Sequence, residues 1–270
     1  MSAPEVGNPL SPSAPPLVFI TGASSGIGQA LALRYHRAGW SLALVARRAA
    51  QVEQWVAEQA LVAERVAVYG ADVRDIQAIT AAGRACIARQ GLPEVVIANA
   101  GISVGVDSAE FDDLDVIRAT FETNNLGLAA TFQPFIAPMR RRRSGRLVGI
   151  ASVAGIRGLP GHAAYCASKA AVIGYCESLR GECRADGVRV VTIAPGYIDT
   201  PLTRGNRYAM PFLLSAEAFA ERAFGAIQAG ASYRVIPWQM GVVAKLLRLL
   251  PNALFDRLLA GRARKRRISE

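Results

Sequence analysis

The chain's 270 residues suit one large α/β domain or two small ones, and 51% of them are hydrophobic, which excludes a chain that is disordered throughout. No stretch of about 18 uncharged apolar residues occurs, so the sequence predicts no membrane-spanning helix. Of the net charge of +10, residues 234–270 carry nine basic and two acidic side chains, and the near-neutral remainder argues against a body that binds nucleic acid.

The first sixteen residues contain five prolines among small side chains and no apolar pattern. Such a composition predicts a flexible, Pro-rich arm over 1–16. Because this segment lacks the basic start and the apolar run of a secretory signal, we expect a cytoplasmic protein. The four cysteines form no CxxC pair, which favours free, buried thiols, and the two histidines stand in no metal-binding motif. No metal site is predicted.

Seven short apolar runs recur between residues 17 and 236, separated by segments long enough for helices. Such runs are typical of strands that a parallel sheet buries on both faces. Their alternation with helices predicts one domain over 17–236, of α/β class, with a Rossmann-type, doubly wound parallel sheet of about seven strands. The predicted strands are 17–20, 42–45, 66–69, 95–98, 147–150, 188–193 and 233–236. The longest predicted helices are 29–38, 75–90, 111–142 and 163–185.

The first strand runs directly into a glycine-rich turn, Thr21-Gly-Ala-Ser-Ser-Gly-Ile-Gly28, and a helical pattern follows. Missing side chains allow a tight turn and a close approach of the backbone to a pyrophosphate, and the helix N-terminus adds free N–H groups. The spacing is GxxxGxG, not the commoner GxGxxG, but its place between strand and helix predicts a dinucleotide site. The candidate residues in this turn are Thr21, Gly22, Ser24, Ser25, Gly26, Ile27 and Gly28.

The second strand ends near Val45 or Ala46, where NAD-specific sites usually carry an acid for the ribose 2′-hydroxyl. Here Arg47 and Arg48 follow instead. Arginine can bind a 2′-phosphate through charge-assisted hydrogen bonds, so this pair favours NADP(H); two solvated loop arginines are the alternative. Further candidates follow the third and fourth strands, at the carboxyl ends where open α/β sheets bind ligands. They are Asp72, Val73, Asn99, Ala100 and Gly101.

Three residues in the second half of the chain predict acid–base chemistry. Ser152 follows the fifth strand, and Tyr165 and Lys169 are four residues apart, which places them on one face of a predicted helix. A tyrosine with its ordinary pKa of about 10 is a poor acid–base group at neutral pH, but a nearby ammonium group favours the phenolate. Ser152 could then hold a substrate carbonyl oxygen against the tyrosine hydroxyl.

Together these motifs resemble those of the short-chain dehydrogenase/reductase family, over about residues 17–236. The resemblance implies an enzyme that transfers a hydride between a nicotinamide cofactor and a carbonyl or alcohol. It implies that Tyr165 is the general acid in carbonyl reduction, that Lys169 binds the nicotinamide ribose and lowers the pKa of Tyr165, and that Ser152 orients the substrate oxygen. A homodimer or homotetramer is also expected.

Other motif residues receive roles from the same resemblance. Asn124, in Asn124-x-x-Gly127, would hold a water in a proton relay to Lys169; the spacing to Gly127 favours it over Asn125. Ala98 departs from the family pattern, which often has asparagine there. Three further roles are contact of Asp72 with adenine, of Asn99 with the adenosine side, and of Thr200 with the nicotinamide carboxamide. The predicted cofactor site is completed by Pro195, Gly196 and Ile198.

Residues 237–270 continue past the last predicted strand as an apolar pattern with a basic end, which predicts an amphipathic helical extension. Three interpretations stay open, since the extension could cover the chain's own pocket, a second subunit or a membrane surface. The predicted pocket segments are 102–106, 153–162 and 197–214. Their apolar residues are Ile156, Leu159, Tyr197, Ile198, Met210, Phe212, Leu213 and Leu214. They favour a lipophilic carbonyl or alcohol substrate; the alternative is an NADP(H)-binding regulatory or membrane-surface interaction protein.

Overall fold

The structure is a computed structural model that describes residues 14–206, 208–261, 265 and 267. Most of the predicted arm at 1–16 and most of the basic run at 262–267 therefore lie outside the described residues. The strands are β1 (Leu17–Thr21), β2 (Ser41–Ala46), β3 (Val66–Gly70), β4 (Val95–Ala98), β5 (Arg146–Ile150), β6 (Arg189–Pro195), β7 (Ile198–Asp199), β8 (Leu214–Ser215) and β9 (Tyr233–Ile236).

Helices connect these strands. They are α1 (Gly26–Arg37), α2 (Ala49–Glu58), α3 (Ile76–Gln90), α4 (Asp113–Phe121), α5 (Gly127–Arg142), α6 (Ala163–Arg184), α7 (Pro201–Arg204), α8 (Ala216–Gln228), α9 (Trp238–Leu249) and α10 (Asn252–Leu259). The predicted single helix at 111–142 is divided, because a π-helical turn, Glu122–Leu126, lies between α4 and α5. Within the described part of the chain, no helix combines the length and the apolarity needed to cross a membrane.

The central sheet confirms the predicted fold class. Its seven strands are ordered β3-β2-β1-β4-β5-β6-β9, and every neighbouring pair is parallel. The chain reverses its direction of winding between β1 and β4, and the connections that leave these two strands turn to opposite faces of the sheet. Such a switch point opens a crevice at the carboxyl ends of the strands, which is where α/β sheets bind ligands. The short strands β7 and β8 pair separately beside this crevice.

Successive side chains of each strand face two different cores, one on each side of the sheet. Phe19 belongs to the core beneath α3, α5 and α6, where its ring centroid lies 4.8 Å from that of Phe135. Ile20 belongs to the core beneath α1 and α8, where Tyr35 packs edge-on against Trp40. All four cysteines are buried free thiols, as predicted. Both faces of the sheet are therefore covered, and the carboxyl edge of the strands is left for a site.

Candidate active site

The glycine-rich turn folds tightly over the carboxyl end of β1. Gly22 has a φ of +69°, and a Cβ on it would lie 2.8 Å from the Cα of Ala100. A Cβ on Gly28 would lie 2.1 Å from the Gly22 carbonyl oxygen. The Asn99 side-chain amide donates hydrogen bonds to the carbonyls of Thr21 and Gly22 at 3.0 and 3.2 Å. The loops after β1 and β4 thus close on each other without space for side chains.

Thr21 supports this turn from behind. Its buried Oγ1 accepts hydrogen bonds from the backbone N–H groups of Asn99 and Ala100 at 3.1 and 3.2 Å. Thr21 and Gly28 are therefore part of the scaffold of the site, while the neighbouring residues of the turn form its wall. A sequence motif cannot distinguish scaffold residues from residues of the wall, because both kinds occur within the same eight positions.

A cleft of about 330 Å³ follows the carboxyl ends of the parallel strands. Of the residues predicted for the cofactor and for catalysis, only Thr21, Gly28 and Asn124 do not line it. The predicted residues that line the cleft are Gly22, Ser24, Ser25, Gly26, Ile27, Arg47, Arg48, Asp72, Val73, Asn99, Ala100, Gly101, Ser152, Tyr165, Lys169, Pro195, Gly196, Ile198 and Thr200. The fold thereby brings motifs that follow each of the first six strands, together with the start of α6, into one crevice.

Asp72 and three arginines form one charged end of the cleft. Arg74 Nη2 lies 2.8 Å from Asp72 Oδ2, and Arg47 Nη1 lies 3.9 Å from the same oxygen. Burial alone would raise the pKa of Asp72, but the hydrogen bonds from Arg74 and the charges of both arginines outweigh it and lower the pKa. Arg48 instead donates to Gln51 at 2.7 Å. The cations outnumber the carboxylate, so this end of the cleft suits an anion.

The sequence motifs do not predict Arg74 as a cofactor-binding residue, although it lines the cleft beside Asp72. The available signal was its position two residues after Asp72, at the carboxyl end of a predicted strand. A turn in which Arg74 donates its own N–H to Asp72 Oδ1, at 3.0 Å, brings its guanidinium back over that carboxylate. A loop arginine has no sequence pattern that distinguishes this geometry from solvation.

Tyr165 and Lys169 lie one turn apart at the start of α6, and the Lys169 Nζ is 5.7 Å from the Tyr165 ring centroid. Lys169 is buried and donates a hydrogen bond to the Ile150 carbonyl at 2.8 Å. Ser152 follows β5, and its hydroxyl accepts a hydrogen bond from the Ala154 N–H at 3.1 Å. The three side chains predicted for acid–base chemistry therefore line one stretch of the cleft.

The pKa values in this cluster differ from the expectation in one respect. The sequence predicts that Lys169 lowers the pKa of Tyr165; instead, burial raises it to about 12, and the hydrogen bond with Ser152 opposes this only in part. Burial also lowers the pKa of Lys169 to about 8. The Tyr165 hydroxyl is therefore protonated at neutral pH, as a proton donor must be, although its raised pKa makes it a weaker acid than a group tuned near the operating pH.

Asn124 lies on the π-helical turn between α4 and α5 and is 1% exposed. Its side-chain amide bonds both backbone groups of Ile102, at 2.8 and 3.0 Å, and donates to the Ser168 hydroxyl at 2.9 Å. It thus ties the loop after β4 to the catalytic face of α6. The Asn125 side-chain amide donates a hydrogen bond to the backbone carbonyl of Ser168 at 2.8 Å. Among the hydrogen bonds of the described residues, Asn124 joins both elements, whereas Asn125 bonds α6 alone.

A second cavity, of about 650 Å³, opens beside Ser152 and Tyr165. Of the eight apolar residues predicted for the pocket, only Leu159 and Tyr197 line this cavity, while Ile198 lines the cofactor cleft. The predictions for Ile156, Met210, Phe212, Leu213 and Leu214 were wrong. Phe212 and Leu213 point outward and are about half exposed. Much of the apolar wall comes from the C-terminal extension, through Met240, Val243, Ala244, Leu247, Phe255, Leu258 and Leu259.

Arg157 fixes that extension to the site. Its guanidinium donates to the carbonyls of Leu247, Arg248 and Leu250 at the end of α9, the last two at 3.0 and 2.8 Å. It also stacks 3.8 Å from the centroid of the Phe255 ring on α10. A cation at a helix C-terminus satisfies carbonyls that lack partners within the helix. The extension therefore covers the chain's own pocket, which is one of the three interpretations that the sequence leaves open.

Comparisons with known proteins agree with this arrangement. A model of the short chain dehydrogenase family matches residues 16–210. An uncharacterised oxidoreductase of Myxococcus xanthus is 38% identical over 88% of this chain and 94% of that protein. The bovine dehydrogenase/reductase SDR family member 7B is 34% identical over 94% of this chain and 83% of that protein. The chain belongs to the short-chain dehydrogenase family of oxidoreductases.

Solved structures of the family share the fold. An alcohol dehydrogenase of the archaeon Thermococcus sibiricus, complexed with 5-hydroxy-NADP, aligns with a TM-score of 0.72 at 25% identity, over 82% of this chain and 96% of that one. A short-chain dehydrogenase of Streptomyces avermitilis aligns with a TM-score of 0.74 at 24% identity, over 85% and 92%. The match extends over most of the chain, so the parallel sheet and its crevice are those of the family.

Proposed function

We propose that this oxidoreductase uses NADP(H) to interconvert a lipophilic carbonyl compound and its alcohol, with Tyr165 as the acid and base. The observation that carries the proposal is that Ser152, Tyr165 and Gly196 line both the cofactor cleft and the apolar cavity. A cofactor in the cleft and a substrate in the cavity would meet at the Tyr165 hydroxyl. The first of these spaces has a mixed polar and apolar lining, as a dinucleotide requires, and the second is mostly apolar, as a lipophilic substrate requires.

The cofactor cleft fits a dinucleotide at its glycine-rich turn. The glycine-rich turn has no space for a Cβ on Gly22 or Gly28. Helix α1 begins at this turn with Ser25 at its N-cap position, and the Ser25 side chain makes no capping hydrogen bond. The first N–H groups of α1 are therefore free to bind a pyrophosphate. When bound, the nicotinamide would supply or accept the hydride.

Charge at the other end of the cleft supports NADP(H) over NAD(H). Arg47, Arg48 and Arg74 line the cleft around a single carboxylate, Asp72. Arginine recognises a phosphate through charge-assisted hydrogen bonds, whereas a carboxylate alone would repel the 2′-phosphate of NADP(H). The archaeal alcohol dehydrogenase that shares the fold is complexed with 5-hydroxy-NADP, which supports the same choice.

The chain's own residues would carry the proton in carbonyl reduction. The Tyr165 hydroxyl would donate its proton to the substrate oxygen while the Ser152 hydroxyl holds that oxygen. Lys169, with its pKa lowered to about 8, is mostly charged at pH 7 and would stabilise the tyrosinate that remains. Asn124 would hold a water that returns a proton along the relay to Lys169. It also positions α6 through its bond to Ser168.

We further propose that the enzyme is cytoplasmic and that the outer face of its extension docks on an anionic bilayer surface. Trp238 and Leu249 on α9 are 67% and 79% exposed, and Leu258 on α10 reaches from the outer face to the cavity. Arg248 and Arg257 are exposed beside them. Apolar side chains flanked by arginine suit the headgroup region of an anionic membrane, from which a lipophilic substrate could enter the cavity.

A panel of long-chain and short-chain ketones, aldehydes and alcohols tests the proposed reaction. Turnover is followed through the absorbance of NADPH, with NADH in a parallel set of assays. The proposal expects oxidation of NADPH by long apolar carbonyls and a lower KM as the chain lengthens. Oxidation of NADH in preference to NADPH, or activity confined to small polar carbonyls, would contradict it. Size-exclusion chromatography with light scattering tests the expected homodimer or homotetramer.

A further inference from the structure

Lys265 places an ammonium group in the wall of the apolar cavity. Its Nζ donates hydrogen bonds to the Ser103 hydroxyl at 3.0 Å and to the Leu202 carbonyl at 3.2 Å. Ser103 lies in the loop after β4 and Leu202 lies in α7, and both line the same cavity. The ammonium group therefore bridges the loop after β4 and α7, two parts of the cavity wall.

No carboxylate accompanies this cation among the described residues. The ion pairs formed by those residues do not include Lys265, and the cavity lining that the structure describes contains no aspartate or glutamate. Arg267, two residues away, is paired with Asp113 at 2.8 Å. Arg157, which also lines the cavity, bonds helix carbonyls instead. Lys265 is thus a cation whose described partners are both neutral.

Burial makes that situation costly. It lowers the pKa of Lys265, and the same charge adds to the burial that lowers the pKa of His162 across the cavity. Lys265 is partly buried and has lost part of its hydration, and a charge that loses hydration is normally paired. An ammonium has three N–H donors, of which Ser103 and Leu202 occupy two. The Ser103 hydroxyl, which accepts from Lys265, keeps its own hydrogen to donate. Among the hydrogen bonds of the described residues, one N–H of Lys265 and the O–H of Ser103 therefore have no acceptor, and both are left for a ligand.

We propose that Lys265 and Ser103 bind an anionic group, a carboxylate or a phosphate, on the lipophilic ligand that fills this cavity. The inference deepens the proposed function, because it makes the substrate an acidic amphiphile with an apolar chain. The apolar walls from α9 and α10 would hold the chain, and the anionic group of the ligand would supply the negative charge that the described cavity lining lacks. If the hydrogen bonds of Lys265 served only to hold the C-terminal segment over the site, the cavity would show no preference for charged ligands.

Ligand binding in the absence of the cofactor tests the proposal without turnover. Decanoate, decyl phosphate and 1-decanol share one alkyl chain, and without a nicotinamide there is no donor or acceptor for a hydride. Calorimetry on the full chain, below the micelle concentration, gives the three affinities. Because a hydrogen bond to a charged group contributes about 1.5–3 kcal/mol, we expect one of the anions to bind about 10- to 150-fold more tightly than decanol. The larger of the two effects identifies carboxylate or phosphate.

Two variants assign the preference to this residue. Lys265→Met should remove most of the preference and leave decanol binding nearly unchanged, and Lys265→Arg should retain the preference because it keeps the charge. Lys245→Met is the matched control, since Lys245 lies exposed on α9 outside the cavity lining. Equal weakening of all three ligands in Lys265→Met would overturn the proposal in favour of a structural tie.

Wild-type protein alone can also overturn the inference, if it binds decanol as tightly as both anions. That outcome is independent of the proposed function, because an enzyme that reduces neutral ketones would still satisfy the latter. Conversely, failure to oxidise NADPH with any carbonyl would overturn the proposed function and leave the measured anion preference in place.

Discussion

The Lys169 ammonium donates a hydrogen bond of 2.8 Å to the carbonyl oxygen of Ile150. Ile150 is the last residue of β5, and Lys169 lies on α6, so this bond joins the strand that leads to Ser152 with the helix that carries Tyr165. The acceptor is neutral, and the charge of Lys169 is therefore not compensated by it. The hydrogen bond that joins the two catalytic elements leaves a cation buried. The cost of burying this charge should be measurable in the free energy of unfolding.

We expect Lys169 to make the stability depend on pH between about 8 and 10.5. Burial lowers its pKa to about 8 from the ordinary 10.5, so in this window the unfolded chain binds more protons than the folded one. Stability then rises with pH, and the penalty of the buried charge is relieved by at most about 3 kcal/mol. Denaturant unfolding of wild type and Lys169→Met at several pH values measures the difference between the two curves.

In that comparison the cysteines and tyrosines titrate in both proteins and cancel. The wild-type free energy of unfolding should rise relative to that of Lys169→Met through the window, while Lys245→Met, at an exposed position, should run parallel to wild type. Parallel curves for all three proteins would show that Lys169 is not buried as a cation.

Arg47 should set the preference for NADPH. Removal of its charge in Arg47→Ala takes one cation from the group around Asp72, so NADPH should bind more weakly while NADH changes little. A charge-assisted hydrogen bond corresponds to about 10- to 150-fold in affinity, and partial exposure of Arg47 puts the expected loss near the lower figure. Fluorescence titration with both cofactors gives the ratio. Arg37→Ala, exposed at the end of α1, is the control; an unchanged ratio in Arg47→Ala would reject the assignment.

Arg157→Ala should loosen the C-terminal extension without affecting the cofactor. The variant loses the hydrogen bonds to the carbonyls at the end of α9 and the stacking on Phe255. We expect the KM for a long-chain carbonyl to rise about tenfold, equivalent to about 1.4 kcal/mol, with NADPH affinity unchanged. Limited proteolysis between α9 and α10 should also become faster. An extension that stays protected, with an unchanged KM, would show that Arg157 does not hold it.

Charge placed on the outer face of the extension should abolish docking on a membrane. Trp238→Asp combined with Leu249→Asp puts two carboxylates where the structure exposes apolar side chains. Flotation with vesicles that contain phosphatidylserine measures the bound fraction, which should fall to the level seen with uncharged vesicles. Val62→Asp, at an exposed apolar position far along the chain from the extension, is the control. Equal flotation of the double variant and wild type would exclude this face as the docking surface.

The parts that sequence predicts best are those in which one physical requirement acts on neighbouring residues. Apolar runs such as that at β1 must be strands of a buried parallel sheet, and glycines such as Gly22 must stand where the backbone closes on itself. Because parallel strands end at one edge, motifs far apart in the chain, such as Asp72 and Tyr165, are expected at one site. The structure places them there.

Other features depend on contacts that no local pattern encodes. The amphipathic pattern of a helix such as α9 indicates that one face of the helix is buried. It does not indicate that Met240 and Leu247 on that helix line a cavity. The outward direction of Phe212, at a φ of +56°, follows from the path of the loop before β8. Its apolar side chain therefore does not line the pocket, although the sequence predicts that it does. Likewise, the burial that raises the pKa of Tyr165 is a property of the packed site and overrides the expected effect of Lys169.

The most direct test of the account is the turnover of Tyr165→Phe. Without the hydroxyl there is no proton donor at the junction of the two cavities, and general acid–base assistance is worth about 10²–10⁴ in rate. We predict that kcat for NADPH-dependent reduction of a long-chain carbonyl falls by that factor while NADPH binds as in wild type. Tyr175→Phe, further along α6 and exposed, should keep full activity. Near-wild-type turnover of Tyr165→Phe would contradict the proposed chemistry.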